Sequence, residues 1–326
     1  IASHRHDATL FAQMVDGFAF FGRQDIGDYL VDPELASYLA LAPASVASLE
    51  QAAPFTYGNA KLQAATLGFA LPFDLADPEA LHAWMNGTYS VALPSTFRNY
   101  ALMDGFADLT GFDIGQVFSG AEIGEPPNVI TAIRGSFDIN RIQATQLSLG
   151  YQQVDVEGQT VYSLSAEANF SADNPIQRWA LARLNNSATL PDGTLLYTST
   201  LELMRTALAP GATLGEQPFV PQALATLDNP LISAMVLGPS AFMPAIPLDI
   251  LQPQSESDIA DFILAMRDRQ PAPQVVTGIV GSTPGGPLPN LGQDATPVAP
   301  GEPKSVGKFA LVYLTPDEAA TAAGQI

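Results

Sequence analysis

The chain has 326 residues, with 13 Lys and Arg against 33 Asp and Glu and a net charge of −20. Such a balance leaves nothing to neutralise phosphates, so nucleic-acid partners and basic docking to anionic lipid are excluded. Cys is absent, which removes disulfides and thiolate metal sites.

Hydrophobic residues make up 47%, with 26 Gly and 27 Pro, a globular, loop-rich composition able to bury a large core. The length suits two domains. The acidity itself reads first as solubility. Ile1 stands first in place of Met, the expectation for a removed signal peptide or a trimmed chain, with room for a lipid anchor upstream. No apolar run reaches the length of a bilayer-spanning helix.

In chain order, Leu10, Phe11, Met14, Val15 and Phe18 follow amphipathic-helix spacing and read as core or chain–chain contact. Asp32-Pro33 starts a helix through Leu41, and Ala44 to Ala53 reads as a second short helical piece. Lys61 to Leu71 is apolar and reads as a strand or a buried helix. Asp77-Pro78-Glu79 caps Ala80 to Met85, and Ser95 to Thr110 reads as one longer helix with Phe97, Leu102, Phe106 and Leu109 inward. Residues 1–127 are thus a mostly helical N-terminal region, standing alone or completing the unit that follows.

Residues 128–210 form the first α+β unit. The β-branched run Val129 to Phe137 is a strand, and Asp138 caps a helix over Ile139 to Leu149, with Ile139, Ile142, Leu147 and Leu149 on one face. Gly150 closes it. Gln152 to Glu157 and Gln159 to Leu164 face each other across Glu157-Gly158 as a hairpin. Pro175 to Leu184 is a short helix. Ala188 to Leu190 and Thr194 to Tyr197 form a second hairpin across Pro191-Asp192-Gly193, and Thr200 to Leu208 ends the unit as a helix.

Residues 211–326 form the second α+β unit. A Pro-rich connector leads to a strand at Leu231 to Leu237 and then a loop from Pro239 to Pro253. Ser257 or Asp258 caps a helix to Arg267. Residues 270–307 are a long Pro/Gly-rich loop, the strongest candidate for an interaction element. Pro316 to Ile326 reads as a helix cut short. Leu195 to Glu202 aligns without a gap with Leu311 to Glu318, and Ile130 to Ile133 echoes Ile232 to Met235. The two matches in the same order predict an internal duplication.

The run from Leu109 to Leu164, followed by Asp192-Gly-Thr-Leu-Leu-Tyr-Thr-Ser-Thr-Leu-Glu202, resembles a loose group of uncharacterised bacterial secreted proteins and lipoproteins. The shared features are a Thr-Gly-x-Asp segment, a Gly-x-Phe-Asp helix start, a Gly-Tyr hairpin and an Asp-Gly closure. They cover about residues 105–210 and, more weakly, 229–326. The resemblance implies ferredoxin-like α+β units, with an antiparallel sheet and helices on one face, and an extracytoplasmic place in the cell envelope or outside it. It implies no catalytic residues.

His4, His6 and Asp7 could hold Zn, Cu or Ni, with a polar leader segment as the alternative. His82 is the remaining histidine. Asp104, Asp108 and Asp113, and Asp258 with Asp261, form acidic clusters that suit caps and solvated faces better than Ca²⁺ or acid/base work. No G-x-S-x-G elbow, P-loop or strand-following G-x-G-x-x-G occurs. Tyr151, Tyr162, Tyr197 and Tyr313 fall on or beside predicted strands, as core or as an aromatic strip.

The sequence thus favours a non-catalytic, extracytoplasmic protein working through protein–protein contacts or self-assembly, with no cofactor. The alternatives are a soluble carrier of a small apolar ligand and a carboxylate- or metal-dependent hydrolase.

Overall fold

The computed structural model describes residues 10–12, 21–23, 32–68, 71–74, 77–87, 93–98, 105–217, 219–225, 227, 230–242, 275–284 and 305–313. The fold is a mixed α+β arrangement around one antiparallel sheet. Its strands are β1 (Leu10–Ala12), β2 (Phe21–Arg23), β3 (Phe55–Asn59), β4 (Val117–Ile123), β5 (Ile130–Gly135), β6 (Gln152–Val156), β7 (Gln159–Ser163), β8 (Asn186–Thr189), β9 (Leu195–Thr198), β10 (Ser233–Leu237), β11 (Val275–Pro284) and β12 (Ser305–Tyr313). The twelve lie in the order β2-β1-β12-β11-β10-β3-β4-β5-β9-β8-β7-β6. Strands from all three stretches of the sequence therefore share one sheet.

The helices are α1 (Pro33–Ala40), α2 (Ala60–Leu67), α3 (Pro78–Gly87), α4 (Ser95–Arg98), α5 (Phe106–Thr110), α6 (Ile139–Ser148), α7 (Pro175–Ala180), α8 (Leu201–Leu208) and α9 (Val220–Ala225). Their starts follow cap chemistry. Asp138 Oδ1 accepts from Asn140 N and Arg141 N, Thr200 Oγ1 accepts from Leu203 N, and Asn59 Oδ1 accepts from Leu62 N. Gly150 ends the α6 segment at φ +94°. Glu157 and Gly158, at φ +52° and +74°, make the tight turn between β6 and β7.

Among the described residues two cores form, one on each side of the sheet, because side chains alternate along each strand. Ile130 and Ala132 of β5 and Leu196 of β9 join Leu35, Tyr38 and Leu39 of α1, Met204 of α8 and Val236 of β10. Ile133 of β5 and Leu195 and Tyr197 of β9 turn the other way. They meet Trp84, Phe97, Phe106, Phe112, Ile142 and Trp179. Helices thus cover both faces, not one face as expected.

The duplicated ferredoxin-like arrangement is not confirmed: β5 lies between β4 and β9, with β9 and β8 separating it from β7. Several other sequence expectations are corrected. Residues 10–12 are strand, since their backbone pairs with β12 and β2. Residues 44–53 make turns, because Ala44 N–H is drawn to the Ala212 carbonyl and the Ala52 carbonyl to Gly238 N–H. The single helix over 95–110 is interrupted; α5 starts afresh after Gly105 at φ +83°. The α7 helix stops early, with Leu181 and Ala182 at φ +50° and +65°. On α6, Leu147 is exposed and Gln146 turns inward to donate to Ser187 Oγ at 2.7 Å.

Within 270–307, Val275–Pro284 is a ten-residue strand and β12 begins at Ser305. Its register with β11 runs from Val275↔Tyr313 to Pro284↔Ser305. The expected helices at 257–267 and 316–326 lie outside the described residues.

Candidate functional site

Asp32 tethers the start of α1. Its Oδ1 accepts from Glu34 N at 3.0 Å and Leu35 N at 3.1 Å, and its Oδ2 accepts from Leu231 N at 2.8 Å, just ahead of β10. Glu34 and Tyr38, one turn apart on α1, consequently face β3, β4 and β5 together. There they meet a chain of polar side chains. Ser119 of β4 donates to Glu34 Oε1 in a short hydrogen bond, and its Oγ lies 3.0 Å from Tyr38 Oη. Asn59 of β3 donates through Nδ2 to Glu34 Oε2 at 2.9 Å and to Tyr57 Oη at 3.2 Å.

Arg134 of β5 closes the other side. Its Nε donates to Thr194 Oγ1 at 2.8 Å, its Nη1 to Ser37 Oγ, and its Nη2 to Asp192 Oδ2 at 2.9 Å. The guanidinium also lies over the Tyr38 ring, 4.6 Å from its centroid. Asp192 and Thr194 belong to the β8–β9 turn, with Gly193 at φ +84° between them. Lys61 of α2 places Nζ 5.4 Å from the Phe118 ring centroid. Glu34, Asn59, Lys61, Phe118, Arg134, Gly135, Asp192 and Gly193 line a cleft of about 340 Å³.

Electrostatics follow from burial. Desolvation pushes the Glu34 carboxyl above its usual range, opposed by the Ser119 hydrogen bond and reinforced by Asp32. Burial also raises the Tyr38 and Tyr57 phenols, so both stay neutral. At Asp192 burial pushes the pKa up, but the backbone and side-chain bonds of Thr194 and the Arg134 guanidinium together outweigh it. The carboxyl is held below its ordinary value.

Chemically the cleft holds its carboxylate, hydroxyl and guanidinium in hydrogen bonds to neighbouring side chains. Ser119 is fully buried and its hydroxyl is engaged by Glu34 and Tyr38, so it cannot reach a substrate as a nucleophile. Arg134 uses all three of its nitrogens on Thr194, Ser37 and Asp192.

Of the sequence-predicted site residues, His4, His6 and Asp7 lie outside the described residues. Asp104, Asp258 and Asp261 do as well. His82 is exposed on α3. Asp113 is a cap, its N–H accepted by Gln116 Oε1 at 2.9 Å, and pairs with Arg141 at 3.9 Å. Among the described residues no group of three or more His, Cys, Asp or Glu is placed to hold a metal ion. No helix among them is long and apolar enough to cross a membrane. Tyr151, Tyr162 and Tyr197 are buried in the second core.

Sequence reasoning missed Glu34, Ser119 and Arg134. The available signal was Arg134 itself, a charge inside an otherwise apolar strand run. No protein-family model matches the chain, and neither the curated proteins nor the solved structures contain a match to it.

Proposed function

We propose that this chain is a non-catalytic, extracytoplasmic protein of the cell envelope or secreted space, acting through protein–protein contacts or assembly. One observation supports the reading: the carboxylate and guanidinium of the polar cleft are held in hydrogen bonds to neighbouring side chains. Glu34 accepts from Ser119 and Asn59, and Arg134 is bound by Thr194, Ser37 and Asp192. A hydrolase needs a nucleophile or water beside a free base. A carrier of an apolar ligand needs an enclosed apolar cavity, whereas Glu34, Asn59, Lys61, Arg134 and Asp192 line this one.

The extracytoplasmic placement draws support from the resemblance to secreted proteins and from the absence of Cys. An internal duplication belongs to the same proposal in reduced form. β5 and β10 stand on either side of the β3–β4 pair, and they carry the matching Ile130 and Ile232 segments.

Native mass spectrometry of the protein from its source tests the reading. The expected result is a mass that includes protein partners or further copies, with no retained lipid or metal. A monomer retaining an apolar ligand would overturn it in favour of a carrier. Turnover of ester or glycoside substrates that disappears in Glu34→Gln would overturn it in favour of a hydrolase.

A further inference from the structure

Among the described residues, strand β6 ends the sheet, paired on one side only, with β7. The Glu157-Gly158 turn sets Val156 opposite Gln159, and a two-residue turn closes on a hydrogen-bonded pair. Antiparallel alternation then aims the backbone groups of Gln152, Val154 and Val156 at β7, and those of Gln153 and Asp155 outward. The side chains of Gln152, Gln153 and Asp155 are exposed, and Val154 is half-buried against the first core. A bare row of N–H and C=O groups of this kind is a template for another strand.

We propose that β6 pairs antiparallel with β6 of a second copy, about a two-fold axis through Val154. This deepens the contact-based reading by naming the partner. In that register Gln153 meets Asp155 of the second copy on each side of the axis, and both residues present outward backbone groups. Each such pair exchanges two main-chain hydrogen bonds, with a side-chain amide donor beside a carboxylate acceptor. Val154 meets its own copy at the close-packed position between them.

Neighbouring registers are worse. An axis at Asp155 sets two carboxylates face to face. An axis at Gln153 sets Asp155 opposite Tyr151, whose N–H is already bound to the Gln146 carbonyl at 3.1 Å. Beside the strand, Arg205 of α8 pairs with Glu157 at 3.6 Å and with Glu202, which softens the local acidity. The net charge of −20 makes two copies repel at long range. Salt screens that repulsion within about 10 Å at moderate ionic strength, so association strengthens as salt rises.

Sedimentation velocity on the full chain, over a range of concentrations at low and high salt, tests the pairing. The expected result is a monomer–dimer equilibrium. Gln153→Lys tightens it and Gln153→Glu loosens it, each by about 3- to 30-fold, because the changed pair occurs twice per dimer. The same charge changes at exposed Ala144 on α6 report the effect of net charge alone and move the equilibrium far less. Gln153→Pro removes an outward N–H without breaking a rung to β7, and abolishes the dimer with unchanged circular dichroism.

A monomer at every concentration overturns the proposal, as do open-ended polymers or a dimer indifferent to residue 153. A monomeric pure protein that native mass spectrometry finds bound to a different protein ends the β6 pairing and leaves the contact reading standing.

Discussion

Arg134 stacks on Tyr38, with its guanidinium carbon 4.6 Å from the ring centroid, and thereby joins α1 to β5 across the face of the sheet. The stack adds to three hydrogen bonds that Arg134 donates, so removing the side chain takes a donor from Asp192, Thr194 and Ser37 at once. Arg134→Ala is expected to lower stability by about 2–3 kcal/mol in urea unfolding. Arg134→Lys recovers only part of this, because a point charge cannot reproduce the fork.

Glu34 and Asp192 give opposite pH dependences. The folded pKa of Glu34 is raised by burial, so the folded state binds its proton more readily than the unfolded chain does. Its charged form therefore costs stability above the raised value, and that cost is relieved as pH falls toward the unfolded pKa. In Glu34→Gln the amide can donate to Ser119 while its oxygen accepts from Asn59. Stability measured from mildly acidic to neutral pH should lose its downward slope in that variant.

Asp192 has a lowered folded pKa, so it contributes stability above the unfolded carboxylate value, and this is lost as pH falls through the folded one. With its side chain 52% exposed, Asp192→Asn should cost only about 0.5 kcal/mol at neutral pH and nothing in strong acid. Urea unfolding at the two pH values checks both halves of that statement.

Phe112 is the hub of the aromatic core, fully buried, with ring centroids at 5.8 Å from Phe97, 5.5 Å from Phe106 and 5.0 Å from Phe137. Phe112→Ala is expected to cost about 3–5 kcal/mol and Phe112→Leu about 1–2 kcal/mol. Near-uv circular dichroism should lose most of its intensity in the first and little in the second.

Two glycines beside the cleft separate steric from conformational cost. A Cβ on Gly135 would sit 2.1 Å from the Gln116 carbonyl oxygen, while one on Gly193 would meet nothing within 4 Å. Gly193 sits at φ +84°, so Gly193→Ala should cost about 1 kcal/mol of backbone strain. Gly135→Ala must move backbone and should cost more than about 2 kcal/mol. Thermal unfolding of the pair, side by side, measures the difference.

Local chemistry carried most of what was legible beforehand. Asp138, Thr200, Gly150 and the Glu157-Gly158 turn act through neighbours within four residues, so their roles stand in the sequence itself. β3 and β4 were not legible. Phe55-Thr-Tyr-Gly-Asn59 and Val117-Phe-Ser-Gly-Ala-Glu-Ile123 alternate only in part, since their polar Asn59, Ser119 and Glu122 are held by hydrogen-bond partners inside the fold. β11 was hidden by composition, its Val-Val-Thr-Gly-Ile-Val run being flanked by Pro and Gly. The cleft was hidden by distance along the chain, for Glu34 meets Ser119 across 85 intervening steps of sequence.

The place of β3 in the sheet sets a schedule for making the protein. Residues 55–59 take one neighbour from 117–123 and the other from 233–237. A nascent chain emerging from the ribosome can zip β3 through β9 together as soon as residue 198 is out. One flank of β3 then stays bare until the β10 segment arrives, and stalled or truncated translation products carry that raw seam through the middle of what should be a continuous sheet.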